Sequence, residues 1–287
     1  KVRSGAAVTE PRVLGWDAVG IVQQVGDQVS LFKVGDSVFY AGAIDRPGSN
    51  SELHLVDERI VGHKPQSLDN AHAAALPLTS ITAWELLFDR LGVPEGGGEG
   101  QSLLIIGAAG GVGSILTQLA RKLTKLTVIG TASRDETRQW VTDLGAHHVI
   151  DHSQPLVAQL EAIGVGQVDH VASLTHTDKH FEQLIEALRP QGQLALIDDP
   201  KTLDVMPMKR KALSLHWELM FTRSLFQTPD MIKQHELLER VAELIDSGVL
   251  RTTLGEHYGV INAANLIRAH ELIESGTAKG KIVLEGF

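Results

Sequence analysis

Residues 102–114 read SLLIIGAAGGVGS, an unbroken apolar run that opens onto closely spaced glycines. The run Ser102–Ile106 has the length and continuity of a strand buried on both faces, and a helical spacing, Val112–Leu123, follows directly. Gly107, Gly110, Gly111 and Gly113 fall at the junction, with Val112 among them. Glycine is required where backbone N–H groups must face a pyrophosphate with no Cβ in the way. The helix N-terminus adds its partial positive charge. Strand, glycine turn and helix at the head of an alternating β/α series define a dinucleotide site. A P-loop is disfavoured, because no lysine follows the glycines to reach the phosphates.

Downstream of this stretch the alternation continues. The pattern predicts strands at 126–131, 148–150, 168–173, 193–197 and 213–220, with helices at 136–144 and 181–188. Such an order implies a doubly wound parallel sheet with right-handed crossovers. A tail follows, with helices expected at 236–247 and 263–275 and a strand at 281–284. Upstream the texture differs. Residues 1–78 read as short strands broken by turns, with alternating segments at 19–25, 37–40 and 52–56 and turn signals at Gly26-Asp27 and Gly35-Asp36. That texture predicts a small all-β barrel or sandwich. Helical spacing sets in at 81–91, and 94–100 is a glycine-rich break. The fold class is therefore α/β, with a parallel sheet beside an all-β part. The expected divisions are 1–80, 81–229 and 230–287, the last returning to the first.

Composition narrows the function. A chain of 287 residues is long enough for two packed domains. Its net charge of -9 argues against nucleic acid or an anionic membrane surface as the main partner. It has no cysteine, which excludes disulfides, thiolate nucleophiles and thiolate metal sites. No apolar stretch is long enough to span a bilayer, and no targeting segment is visible, so a cytoplasmic location is expected. The chain opens at Lys1 with residues that resemble the end of an element, so an N-terminally incomplete chain is expected.

The second strand of the series ends at Thr131, and ASRDE follows. A ribose-binding acid is expected about twenty residues beyond the glycine turn. Ser133 and Arg134 stand there instead. A hydroxyl and a guanidinium suit a 2′-phosphate, so NADPH is favoured over NADH. The alternative is that Ser133 and Glu136 form only a capping box, with Arg134 in solvent.

Taken together, LGWDAVGIV, GDSVFYAG, PLTSITAWELL, GAAGGVG, LGAHHVIDH and GKIVLEGF resemble the medium-chain dehydrogenase/reductase superfamily. The resemblance is to its quinone oxidoreductase-like branch, the group labelled zinc-type alcohol dehydrogenase-like, and it covers the chain in order. It implies a GroES-like β domain closed by the C-terminal segment, and a Rossmann domain with the cofactor in the cleft between them. Zinc alcohol dehydrogenases carry Gly-His-Glu where this chain has Gly15-Trp16-Asp17, the histidine being a zinc ligand. Their cysteine ligand falls near Leu78, and their four-cysteine lobe has no counterpart. Neither indole nor leucine ligates zinc. No metal is expected.

The resemblance also implies roles for individual residues. Thr82 approaches the nicotinamide ribose or phosphate. Ser173, Leu174, Thr175, Ile197 and Asp198 follow two later strands at the carboxyl edge, where ligands sit. Phe221 and Thr222 cover the carboxamide, and Lys281 either reaches the cofactor side of the cleft or stands in solvent. Among catalytic candidates, Trp16 faces the cleft beyond the nicotinamide, or else fills core. Asp17 is a hydrogen-bonded anchor, and Tyr40 either donates to a substrate oxygen or anchors a strand. Lys1-Val2-Arg3-Ser4-Gly5 resembles a stretch that lies near the nicotinamide in relatives, with Ala7 where many of them have tyrosine. A metal on His176, Asp178 and His180 is weighed and set aside, since Asp178 suits a helix cap. His147, His148 and His152 read as exposed strand-end residues.

The expected function is zinc-independent transfer of hydride from NADPH to quinones or α,β-unsaturated carbonyls, by a homodimer joined through the Rossmann edge strand. Two other readings stay open: a zinc-dependent alcohol dehydrogenase with atypical ligands, and an inactive nucleotide-binding or redox-sensing protein.

Overall fold

A computed structural model of the chain describes residues 10–287. The expectations placed on Lys1 to Gly5 and on Ala7 lie outside the described residues. Three short strands come first: β1 (Ala18–Ile21), β2 (Ser37–Tyr40) and β3 (Val61–His63). They form an antiparallel sheet in the order β1-β2-β3. Six more follow: β4 (Ser102–Ile106), β5 (Thr127–Thr131), β6 (His148–Ile150), β7 (Val168–Ser173), β8 (Leu188–Leu196) and β9 (Ser214–Trp217). They make one parallel sheet in the order β6-β5-β4-β7-β8-β9. The chain runs outward from β4 to β6, then crosses back to β7 on the far side of β4. That reversal opens a crevice at the carboxyl ends of β4 and β7, the place where open α/β sheets bind ligands. The glycine turn leaves β4 there.

Helices cover both faces: α1 (Asn70–Ala74), α2 (Pro77–Trp84), α3 (Gly111–Leu123), α4 (Asp135–Asp143), α5 (Leu156–Ala162) and α6 (Thr177–Ala187). After β9 come α7 (Thr222–Leu225), α8 (Lys233–Asp246) and α9 (Ala263–Glu274). Side chains alternate along β4. Leu103 and Ile105 pack into one apolar cluster with residues of α2, α3 and α8, and Leu104 and Ile106 into another with α5 and α6. Phe39 of β2 belongs to the first cluster, so one continuous core ties the antiparallel sheet to one face of the parallel one. The tail returns as a parallel pair, β10 (Leu254–His257) with β11 (Lys281–Val283). It docks on the α1 region through Thr252 and Thr253, whose hydroxyls donate to the carbonyls of His72 and Ala75.

The strand expected at 52–56 does not form. Leu53 and Leu55 are exposed, and His54 is held by side-chain bonds to Tyr40 and Pro47 instead of by a strand partner among the described residues. The helix expected from Ile81 starts earlier, at Pro77, and widens into a π-helical turn at Glu85–Arg90. Among the described residues, α1, α5, α7 and β10 carry no sequence signal strong enough to have been expected. They are short, and tertiary contacts hold them.

Candidate functional site

The turn after β4 is shaped by two glycines. Gly107 has φ +80°, a left-handed conformation that favours glycine. A Cβ on Gly113 would lie 2.4 Å from the Gly107 carbonyl oxygen and 2.6 Å from the Ala108 Cα. The first turn of α3 is therefore pressed onto the strand end. Gly110 precedes α3 with extended backbone, and no side chain caps the start of the helix. Thr131 Oγ1 accepts from the Gly107 N–H at 3.1 Å, and Thr175 closes the other side. Thr175 and Leu174 are thus brought to the glycine turn, as expected of residues after β7.

The tail meets the same turn. Gly280 pairs with Gly110 and donates its N–H to the Ala109 carbonyl at 2.9 Å. Next along, Lys281 lies over Gly111, as Thr79 does, and its Nζ donates to Asp17 Oδ2 at 2.6 Å. Asp17 Oδ1 accepts from the Leu78 N–H at 2.7 Å. Burial pushes the Asp17 carboxyl up, and Lys281 and the Leu78 amide pull it back. Both Asp17 carboxylate oxygens are thus engaged, and this contact holds the Lys281 ammonium beside the glycine turn.

Trp16 is half-buried against the main core, and its Nε1 donates to the Ala43 carbonyl at 3.3 Å. Tyr40 is buried on β2. His54 Nε2 lies 2.9 Å from the Pro47 carbonyl, which can only accept, so that nitrogen carries the proton and Nδ1 accepts from the Tyr40 hydroxyl at 3.0 Å. With burial pushing Tyr40 up to about 12, the geometry favours the strand anchor.

Several expected contacts face inward. Thr82 donates to the Leu78 carbonyl within its own helix. Ser173 bonds Thr177, whose N–H and hydroxyl both go to Asp198. Asp198, and not Asp178, therefore fastens the start of α6, which begins at Thr177. Phe221 is buried in the main core, and Ile197 packs against it. Thr222 is half-buried beside Phe221.

At the end of β5 the proposed capping box is absent. Arg134 is the residue preceding α4 and makes no side-chain cap, and Ser133 is exposed. The Arg134 guanidinium donates to the Thr277 carbonyl at 2.7 Å, while Glu136 is taken by Lys279 at 2.6 Å. The tail outcompetes the local cap.

Sequence reasoning missed a buried ionic cluster. Glu85 and Glu218 have no exposed side-chain surface. Arg223 reaches Glu85 at 2.6 Å and Asp89 at 2.9 Å, and Arg90 reaches Glu218 at 2.8 Å. Burial and the neighbouring Glu85 push Glu218 up to about 8. The π-helical turn places Glu85, Asp89 and Arg90 around this cluster, and no one-dimensional pattern announces it.

Zinc does not fit the residues present. Trp16 and Leu78 offer no ligand, the Asp17 carboxylate is engaged, and among the described residues no group of three His, Asp or Glu could hold a metal. His152 and His180 lie with ring centres 6.1 Å apart, and burial holds both imidazoles below their ordinary range. His148 and His152 are half-buried, not exposed as expected. His147 is exposed, but its Nδ1 accepts from the Val128 N–H.

A parallel sheet with a glycine turn at its switch point, faced by a β part and a returning tail, has the architecture of a dinucleotide-binding fold. Comparison with known proteins gives the family. Residues 1–66 match the alcohol dehydrogenase GroES-like domain, and residues 144–284 match the zinc-binding dehydrogenase family. A zinc-type alcohol dehydrogenase-like protein of Staphylococcus aureus is 41% identical, over 99% of this chain and 85% of its own length. The quinone oxidoreductase of Mus musculus is 28% identical, over 99% of this chain and 83% of its own. A crystal structure from Rhizobium etli CFN 42, provisionally assigned as a zinc-dependent alcohol dehydrogenase, superposes with TM-score 0.95 at 59% identity, covering 100% of this chain and 84% of that one. The Escherichia coli quinone oxidoreductase complexed with NADPH gives 0.80 at 26% identity, covering 94% and 81%. The chain belongs to the medium-chain dehydrogenase/reductase superfamily and is an oxidoreductase of that family.

Proposed function

We propose that the chain is a zinc-independent, NADPH-dependent reductase of quinones or α,β-unsaturated carbonyls. The observation that carries this reading is the Trp16-Asp17 pair. At the family's zinc position the indole bonds a backbone carbonyl, and the carboxylate is spent on Leu78 and Lys281. A plain carbonyl needs a metal or an acid to polarise it. Electron-poor acceptors need less: orientation, exclusion of water and a few donors for the developing oxyanion. The kinship to quinone oxidoreductases, one of them solved with NADPH, supports the choice.

NADPH, when bound, supplies the hydride. In this reading the backbone of Gly107, Gly110, Gly111, Val112 and Gly113 holds its pyrophosphate, and Ser133 and Arg134 hold its 2′-phosphate. Leu174, Thr175, Ile197, Phe221 and Thr222 flank the cofactor, while Thr82, Ser173 and Asp198 position those neighbours. Trp16 walls the acceptor side, and Lys281 fixes the tail across the turn. The divisions 1–80, 81–229 and 230–287 follow from the same reading. So do a cytoplasmic location and a homodimer through edge strand β9, where Trp217 is exposed. No helix among the described residues is long and apolar enough to cross a membrane.

The test is NADPH oxidation against quinones, enals and simple aldehydes, with elemental analysis of the same sample. Turnover of quinones or enals without zinc is expected. Stoichiometric zinc with activity lost to a chelator would overturn the reading in favour of an atypical zinc enzyme. NADPH binding with no turnover of any acceptor would favour the nucleotide-binding alternative.

A further inference from the structure

The end of β5 carries a charge problem. Arg134 and Arg138 bring two cations to it, and Asp135 and Glu136 in the first turn of α4 bring two carboxylates. Arg138 gives its donors to the carbonyls of Ala132 and Val149, and so stays at the strand ends. Asp151 turns toward Ser153. A balanced corner has no electrostatic reason to prefer a cofactor bearing an extra phosphate over one without it. Glu136 on its own would repel that phosphate.

The tail answers this from 143 positions away. Lys279 Nζ meets Glu136 at 2.6 Å and lies 5.2 Å from the centre of the Trp140 ring. Trp140 is itself fixed, its Nε1 donating to Ser114 Oγ at 2.8 Å. Backbone contacts hold the lysine from both sides: the Thr277 carbonyl accepts from Arg134, and the Gly280 N–H donates to Ala109. The ammonium is therefore seated by an ion pair, an aromatic face and two tethers on the segment that leads into β11. It is not a loose surface charge. Glu136 registers it: the Lys279 ammonium, with a smaller contribution from Arg134, holds its carboxyl below the usual range.

Resting on the NADPH reading above, we propose that Lys279 is a cofactor-specificity residue. It cancels Glu136 at the ribose corner, so that Arg134 and Arg138 outweigh the remaining Asp135 and favour a 2′-phosphate.

The test is the ratio of kcat/KM with NADPH to that with NADH, supported by the binding of 2′-AMP against 5′-AMP. Lys279→Gln is expected to lower the ratio roughly fivefold to tenfold, the scale of one charge-assisted contact. Lys279→Arg retains it. Glu136→Gln raises it, and the double variant Glu136→Gln/Lys279→Gln returns close to the wild-type ratio, because the lysine acts through the acid. A merely structural lysine would move both cofactors together and leave the ratio still. A wild type that prefers NADPH, with the same ratio in Lys279→Gln, overturns this inference and leaves the NADPH reading standing. A wild type that prefers NADH overturns that reading and the inference with it. Should Lys279→Gln fail to fold, Glu136→Gln alone decides: an unchanged ratio there refutes the proposal.

Discussion

Asp17 and Lys281 are 264 positions apart, and their carboxylate and ammonium meet at 2.6 Å beside the glycine turn. The pair joins the first strands of the chain to its last, and it does so over the α3 N-terminus. Lys281→Met would leave the Asp17 carboxylate largely buried with the Leu78 amide as its remaining partner. Removing one member of such a pair costs about 3 kcal/mol. Asp17→Asn added to Lys281→Met should recover most of that loss, since a neutral amide needs no counter-charge. Urea unfolding of the two single variants and the double one checks it. Additive losses would mean that the two side chains do not act as a pair.

This contact also marks the boundary of what the residues alone disclose. Apart from α5, the strands and long helices around 102–217 follow from periodicity, because β4, β7 and α3 each bury long regular runs. Trp16 and Asp17 stand out because they interrupt a family pattern. The partners of Asp17, Arg134 and Glu136 do not stand out. Lys281, Thr277 and Lys279 reach these residues from the tail, 264 positions away in the first case and 143 in the other two, and a pairing at that range leaves no local trace. Glu85 is equally silent: it stands at the start of the π-helical turn and is fully buried, and its closest ionic partner, Arg223, lies more than a hundred positions along the chain.

The buried Glu85–Glu218 cluster predicts a pH dependence. Glu218 sits near 8 in the folded chain against 4.5 for an ordinary glutamate. Across that interval the folded state holds a proton that the unfolded state has lost. Stability must therefore fall as pH rises through the window, and the contribution is complete only below it. Glu218→Gln keeps a donor in place and removes the titration. Denaturant midpoints between about pH 5 and pH 9 should slope less steeply in the variant than in the wild type. Equal slopes would assign the proton elsewhere.

Tyr40 tests the division between anchor and acid. Its hydroxyl proton is given to His54, which is fixed in turn by Pro47. Tyr40→Phe should lose about 1 kcal/mol of stability, the worth of one hydrogen bond. Its kcat/KM with a quinone acceptor should stay within about twofold of the wild type, less than removal of an oxyanion donor would cost. A loss of a hundredfold would return Tyr40 to the catalytic apparatus.

Gly110 and Gly113 separate folding from binding within one turn. At Gly113 an added methyl would strike the Gly107 carbonyl at 2.4 Å and Ala108 at 2.6 Å, both backbone, so the turn itself must move. Gly113→Ala should lose about 1–3 kcal/mol of stability from overpacking and bind NADPH poorly, because displaced N–H groups no longer converge. Gly110 is different. A methyl there finds its nearest neighbour at 3.5 Å, and the backbone is one any residue adopts, with φ -72°. Gly110→Ala should unfold at the wild-type midpoint. Its new Cβ would stand where a pyrophosphate has to approach the backbone, so NADPH should bind at least about tenfold more weakly, a difference of about 1.4 kcal/mol. Thermal shifts with and without NADPH read both effects in one experiment. If Gly110→Ala binds NADPH as tightly as the wild type, the pyrophosphate does not lie against this turn, and the dinucleotide assignment loses its geometric ground.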